Sequence, residues 1–228
     1  MHLLGGVFDS VYYFDAEFWS VSIPIVFGTV ALNAVDSLCD MPDSVKKDLM
    51  SNPQTAWDYT VYWADCLDYG MGVAEVGNMA RLDGFGRELV RAGDQELRSA
   101  IAQLKGTRRD ARAILSCRMA TELFLKAYIA LKCGLAQKQA KELGHNLKEA
   151  FDRFIEVSGY ERWKPLKSKL AVYPPVHGRY EKQDVAPSAV WEGVAFAQSI
   201  GTVIAREHTG RDTAAGLLAQ ARAQRRGW

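Results

Sequence analysis

Two hydrophobic periods run along this chain. Near the N-terminus, Trp19, Val21, Ile23, Ile25 and Phe27 alternate with Ser20, Ser22, Pro24, Val26 and Gly28. A period of two, rich in branched and aromatic residues, predicts a strand. Val11–Phe14 is a second β-prone run, and Asp15-Ala16-Glu17 is a suitable hairpin loop between them. Pro24 requires an edge position or a bulge. A lone hairpin is marginal, so this one must lie on another element.

Beyond Pro42 the period lengthens to that of a helix. A helix opens at Pro42-Asp43 and runs to Met50, and Asn52-Pro53 breaks it. Trp57–Tyr69 reads as a second helix, dense in aromatics. Gly70–Gly86 is too glycine-rich to assign, and a helix follows over about Arg87–Lys105 with a break expected near Gly93. Thr107 and Asp110 have capping-box spacing at the head of the next helix. That helix is apolar nearly all round from Ala113 to Leu131, which marks it as central, and Gly134 is its stop. Gly144-His145-Asn146-Leu147 turns into a further helix with Asn146 as cap and Leu147, Ala150, Phe151, Phe154 and Ile155 as its apolar face. Ser158-Gly159 ends it, and Pro174-Pro175 and Gly178 interrupt the chain. Pro187 suits the first turn of another helix. There Gly193, Ala197 and Gly201 form a smooth face for close helix approach, and Asp212–Arg226 reads as an amphipathic tail with a basic end.

The expected fold is therefore mainly α. It is an up-and-down helical bundle over residues 96–228, preceded by an α+β extension over residues 1–95 that contains the β-hairpin. With 228 residues, 48% of them hydrophobic, the chain can bury a sizeable core. The most apolar run, Trp19–Val35, contains Ser20, Ser22, Pro24 and Asn33 and falls short of a membrane helix. Cys39, Cys66, Cys117 and Cys133 have no CxxC spacing, and the N-terminus lacks the basic and apolar regions of a secretion signal. Free thiols in the cytoplasm are the expectation.

The net charge of +1 conceals an asymmetry. Residues 1–100 carry 6 Lys and Arg against 15 Asp and Glu, a net −9; residues 101–228 carry 22 against 12, a net +10. Such halves attract each other, and the basic half attracts anions. An acidic segment that packs beside the basic bundle and limits access to it is one consequence.

Arg118, Glu122 and Lys126 are the most informative residues. They stand four apart in one line along an apolar helix. A buried polar line must be paired, internally or with a bound group. It is either a structural ladder or a polar floor for a phosphate- or nucleotide-like ligand, with Glu122 orienting the two cations. His145 is a second candidate, either a capping residue or a titrating group. Arg179-Tyr180 is a third: the guanidinium suits phosphate and the ring suits base stacking. Lys164, Lys167, Lys169, Arg179 and Lys182, interleaved with Trp163, Tyr173 and Tyr180 and joined by Arg211, Arg222, Arg225 and Arg226, suit RNA or solvated charge equally. His2, His145, His177 and His208 lack metal-ligand spacing, and Asp58, Asp65 and Asp68 read as a solvated face rather than a divalent site. No cofactor fingerprint occurs.

The order Ser116-Cys-Arg-Met-Ala-Thr-Glu122-Leu-Phe-Leu-Lys126, then Gly144-His145-Asn146-Leu147, then Gly178-Arg179-Tyr180, then a small-residue helix from Pro187, resembles the HEPN superfamily. Its nucleotidyltransferase-associated branch is similar in showing an E-x-x-x-K helix, a G-H-[D/N]-L turn and an R-Y pair before the last helix. The likeness covers about residues 107–206. It implies a helical bundle, often a homodimer, that works in RNA metabolism, toxin–antitoxin or defence systems, or nucleotide binding. It also implies a nucleotidyltransferase or antitoxin partner protein. Many HEPN proteins are metal-independent ribonucleases with an R-x(4–6)-H motif. No histidine of this chain has an arginine five to seven residues upstream, and Arg206 and His208 stand too close together. The expectation is a module that binds a nucleotide, an RNA or a partner through Arg118, Glu122, Lys126, His145, Arg179 and Tyr180. The alternatives are a ribonuclease with a rearranged site of His145, His177 and Arg179, and a dimerisation scaffold that uses the Gly193–Ala197–Gly201 face without any ligand.

Overall fold

The structure is a computed structural model that describes residues 6–24, 31–105, 109–176 and 182–226. It is mainly helical, with a two-stranded antiparallel hairpin at its N-terminal end. Strands β1 (Gly6–Phe14) and β2 (Glu17–Pro24) pair through a two-residue turn. Asp15 and Ala16 in that turn have φ of 52° and 58°. Two left-handed residues twist the turn to match the strands, which is what a tight hairpin requires. The pairing places Phe8, Ser10, Tyr12, Val21 and Ile23 on one buried face; Val11 and Phe18 on the opposite face are buried as well, and β1 lies on α2, α3 and α7. Ile25 and Phe27, which continue the alternation, lie outside the described residues.

Helix α1 (Asp43–Ser51) leads into α2 (Pro53–Asn78), whose N-cap is Asn52. The Asn52 side chain accepts from the amides of Gln54 and Thr55, so the pair read as a break is also a start signal. Helix α2 continues into the glycine-rich stretch that resists assignment from sequence and ends at Asn78. Glycine lowers helix propensity, but tertiary contact overrides it here. A methyl group at Gly72 would lie 2.6 Å from the Ala205 Cβ, so the glycine lets α2 and α7 touch. Helix α3 (Gly84–Leu104) likewise runs unbroken through Gly93, which packs against the Phe124 ring. The expected boundary between residues 95 and 96 falls inside α3, and residues on both sides share one hydrophobic core.

Helix α4 (Ala113–Cys133) is the central element. It starts later than the capping-box spacing predicts. Asp110 accepts from the Arg112 amide with its side chain and from the Ala113 amide with its carbonyl, while Thr107 lies outside the described residues. Gly134 ends it in the left-handed conformation at φ 70°. After the short α5 (Gln137–Glu142) comes α6 (Leu147–Ser158), capped as expected by Asn146, which accepts from the Glu149 amide. A chain of 3-10 turns over Glu161–Val172 packs on α6 and on α7 (Pro187–Thr209). Helix α8 (Thr213–Arg226) lies against α2.

Helices α2, α3, α4 and α7 pack side by side as the bundle, with α6 against α4. The Gly193–Ala197–Gly201 face is already used inside the chain. Gly193 meets Ile114 and Tyr173, and Gly201 meets Tyr69 and Phe124. That face is therefore closed to a second copy, and the scaffold built on it does not stand.

The charge asymmetry appears as ion pairs between the two halves. Lys105 holds Asp9 at 2.7 Å, Arg109 holds Glu17, Arg206 holds Asp65 at 2.6 Å, and Arg211 holds Glu75.

Candidate nucleotide-binding cleft

Arg118, Glu122 and Lys126 lie one turn apart on the side of α4 that faces the turn into α6, with side chains only 9%, 3% and 10% exposed. Lys126 Nζ donates to Glu122 Oε1 at 2.8 Å, and Arg118 Nη1 stands 3.4 Å from Glu122 Oε2. Each cation has a second acceptor on the turn. Arg118 Nη2 donates to the His145 carbonyl at 2.8 Å and Lys126 Nζ to the Gly144 carbonyl at 2.6 Å. The expected roles are thus inverted. Glu122 does not orient two cations toward a ligand; the cations fix Glu122 and clamp the turn. A buried charge is tolerable only when paired and hydrogen-bonded, and this one is both.

The clamp serves to place His145. Its Nδ1 is 3.1 Å from each oxygen of Glu122. A carboxylate only accepts, so Nδ1 carries the proton and donates. Nε2 is left open on a ring whose side chain is 58% exposed. A carboxylate behind an imidazole fixes its orientation and tautomer, whatever the outer nitrogen then does.

His145 borders a cleft of about 380 Å³ between α3 and α4. Leu115, Met119 and Val176 give it apolar walls, while Arg112, Ser116 and His145 bring polar groups and Glu96 comes from α3. Among the described residues, the guanidinium of Arg112, the hydroxyl of Ser116 and the carboxylate of Glu96 have no hydrogen-bond or ion-pair partner. The charged groups of the lining are Arg112, Arg118 and Glu96; Arg118 pairs with Glu122, which also holds Lys126. Counted together, these three cations and two carboxylates carry one net positive charge, His145 aside.

No protein-family model matches the chain, and no curated protein or solved structure matches it either.

Of the six expected site residues, Arg118, Glu122, Lys126 and His145 come together. Arg179 and Tyr180 lie outside the described residues, as does His177. Val176, immediately before His177, lines the cleft. Sequence reasoning missed Arg112, Ser116 and Glu96. The first two could have been found, since residues 112, 115, 116 and 119 share one face of α4 with Arg118 close by. Glu96 could not, because only the packing of α3 on α4 brings it there.

Other candidates resolve into structure. Asp65 and Asp68 are paired rather than left as a solvated face: both bond to Arg206, and Asp58 accepts from Gln54. Burial pushes the Asp65 carboxyl above its ordinary range, opposed by Arg206. Among the described residues, no three His, Cys, Asp or Glu side chains gather into a metal set. The basic-aromatic stretch does not offer a stacking platform where it is described. Tyr173 is buried and bonded to Thr121 and to the Gly193 carbonyl, Trp163 packs near Phe154, and Lys164 and Lys167 pair with Glu161 and Asp152. Burial pushes the Cys66 thiol up to about 12 and raises that of Cys117, so neither is a ready nucleophile. Among the described residues, no helix is long and apolar enough to cross a membrane.

Proposed function

We propose that the chain is a HEPN-like module that binds the phosphate of a nucleotide or an RNA in the cleft between α3 and α4. One observation carries this reading: around one apolar-walled cleft, the guanidinium of Arg112, the hydroxyl of Ser116 and Nε2 of His145 have no partner among the described residues. Arginine reads phosphate through paired donors, and small-ligand sites are apolar clefts with a few convergent polar groups. The family resemblance adds Arg179 and Tyr180 to the proposed ligand-binding residues. The module acts in an RNA-related, toxin–antitoxin or defence system, as a homodimer in the cytoplasm, beside a nucleotidyltransferase or antitoxin partner. No cofactor enters the reading.

A second reading is favoured by the Glu122–His145 pair. A carboxylate-backed imidazole with a free outer nitrogen is a competent general base or acid. A ribonuclease with a rearranged site would use it, with Arg112 or Arg179 stabilising the phosphate charge.

Titrating the full chain with nucleoside phosphates and labelled single-stranded RNA at low and moderate salt, with cleavage scored in the same samples, decides between them. The expected result is salt-sensitive binding without cleavage, weakened about tenfold in Arg112→Ala, roughly the loss of one charged hydrogen bond. Cleavage that disappears in His145→Ala would promote the ribonuclease. Binding to neither ligand class would overturn both readings.

A further inference from the structure

The cleft holds one residue that phosphate binding does not need. Glu96 is a carboxylate in the lining of a site whose other open groups are an arginine, a serine and an imidazole. Beside a phosphate it is repulsive, and a site for inorganic phosphate would be better without it. It is not neutralised at rest either, since it has no ion-pair partner among the described residues although Arg112 lines the same cleft. A carboxylate only accepts hydrogen bonds. What it fits is a cluster of donors on the ligand, away from the anionic end. Vicinal ribose hydroxyls and the amino group of a base are the donor sets that acidic side chains read in nucleotides.

The walls and the size agree with such a bipolar ligand. Leu115, Met119 and Val176 offer apolar contact for a flat ring or a sugar face. The volume of about 380 Å³ is near the lower end for ligand sites, which run from roughly 300 to 1,000 Å³. That is room for one nucleotide unit.

From this we infer that Glu96 is a specificity residue: it selects a nucleoside monophosphate over phosphate itself by accepting hydrogen bonds from the ribose hydroxyls or the base amine. The inference rests on the phosphate-binding reading above, and it extends that reading from the anion to the rest of the ligand.

Calorimetric titration of the full chain and of Glu96→Gln with adenosine, guanosine, cytidine and uridine 5′-monophosphates and with inorganic phosphate tests it. Glutamine keeps the size of the side chain and removes its charge. The expected result is that Glu96→Gln loses about tenfold in affinity for the preferred monophosphate while binding inorganic phosphate at least as well as before, so that the discrimination collapses. A merely structural role would weaken both ligands together, and that result would overturn the inference, as would unchanged affinity for the monophosphate. If the unaltered chain binds phosphate and monophosphates equally, the inference falls and the phosphate-binding reading survives. If it binds none of them, both fall.

Discussion

Replacing Glu122 with alanine lowers the unfolding free energy by about 3–5 kcal/mol, the cost of leaving buried charge uncompensated. Arg118 and Lys126 lie on either side of it with side chains 9% and 10% exposed. Without the carboxylate, two like charges remain in the same buried strip, and His145 loses its only side-chain partner among the described residues. For a chain of this length the loss corresponds to a fall in melting temperature of about 6–20 °C. Urea unfolding followed by circular dichroism measures it. The paired control is Arg118→Met with Glu122→Leu and Lys126→Met. Removing all three charges together is expected to cost much less than removing one, because no ion is left stranded. An unaltered unfolding midpoint in Glu122→Ala would mean that the cluster is not held as described.

The second large effect is expected at Asp68. This side chain is 1% exposed. It accepts from Arg206 Nε at 2.8 Å, from the Thr213 amide at 2.9 Å and from the Thr213 hydroxyl. It thereby ties the end of α7 and the first turn of α8 to the middle of α2. Carboxylates at a helix start also favour the exposed amides there. Asp68→Ala leaves Arg206 with Asp65 and Asp212 but removes the shared acceptor of Arg206, the Thr213 amide and the Thr213 hydroxyl, at a cost of about 1–3 kcal/mol. Over residues 213–220 α8 is lightly held, with Ala214 buried and Leu218 39% exposed. Release of α8 is therefore expected before global unfolding. Trypsin should then cut after Arg211 in Asp68→Ala under conditions that leave the parent chain intact. Equal protection of both chains would contradict this.

Much of the fold was legible in the residues. The hairpin could be read from its alternation, the central α4 from an apolar surface all round, and the start of α6 from Asn146. What failed did so for one physical reason. Gly70, Gly72, Gly93, Gly193 and Gly201 look like breaks or free faces when only local propensity is considered. In the structure they lie within helices, and at Gly72, Gly93, Gly193 and Gly201 an added Cβ would come within 2.7 Å of a side chain on a neighbouring helix. Local propensity does not contain the partner that makes a glycine useful. The aspartates of α2 were misjudged similarly, since Arg206 stands about 140 residues away in sequence.

The site was half legible. Four-residue spacing grouped Arg118, Glu122 and Lys126, and the turn sequence added His145, because both signals are local. The roles were not legible. Whether a cation is spent on a carbonyl or left for a ligand depends on where the turn at 144–145 lands. The open groups, Arg112, Ser116 and Glu96, come from an ordinary-looking face of α4 and from a second helix.

The central claim is that Glu122 fixes His145 with Nδ1 protonated and Nε2 open to a nucleotide in the cleft. A long-range proton–nitrogen correlation spectrum of the imidazoles tests it directly, with His145 assigned by its loss in His145→Gln among the four histidines of the chain. The account predicts a protonated Nδ1, a bare Nε2, and an Nε2 signal that moves when a nucleoside monophosphate saturates the protein. A bare Nδ1, or an Nε2 signal that stays fixed at saturation, would contradict it.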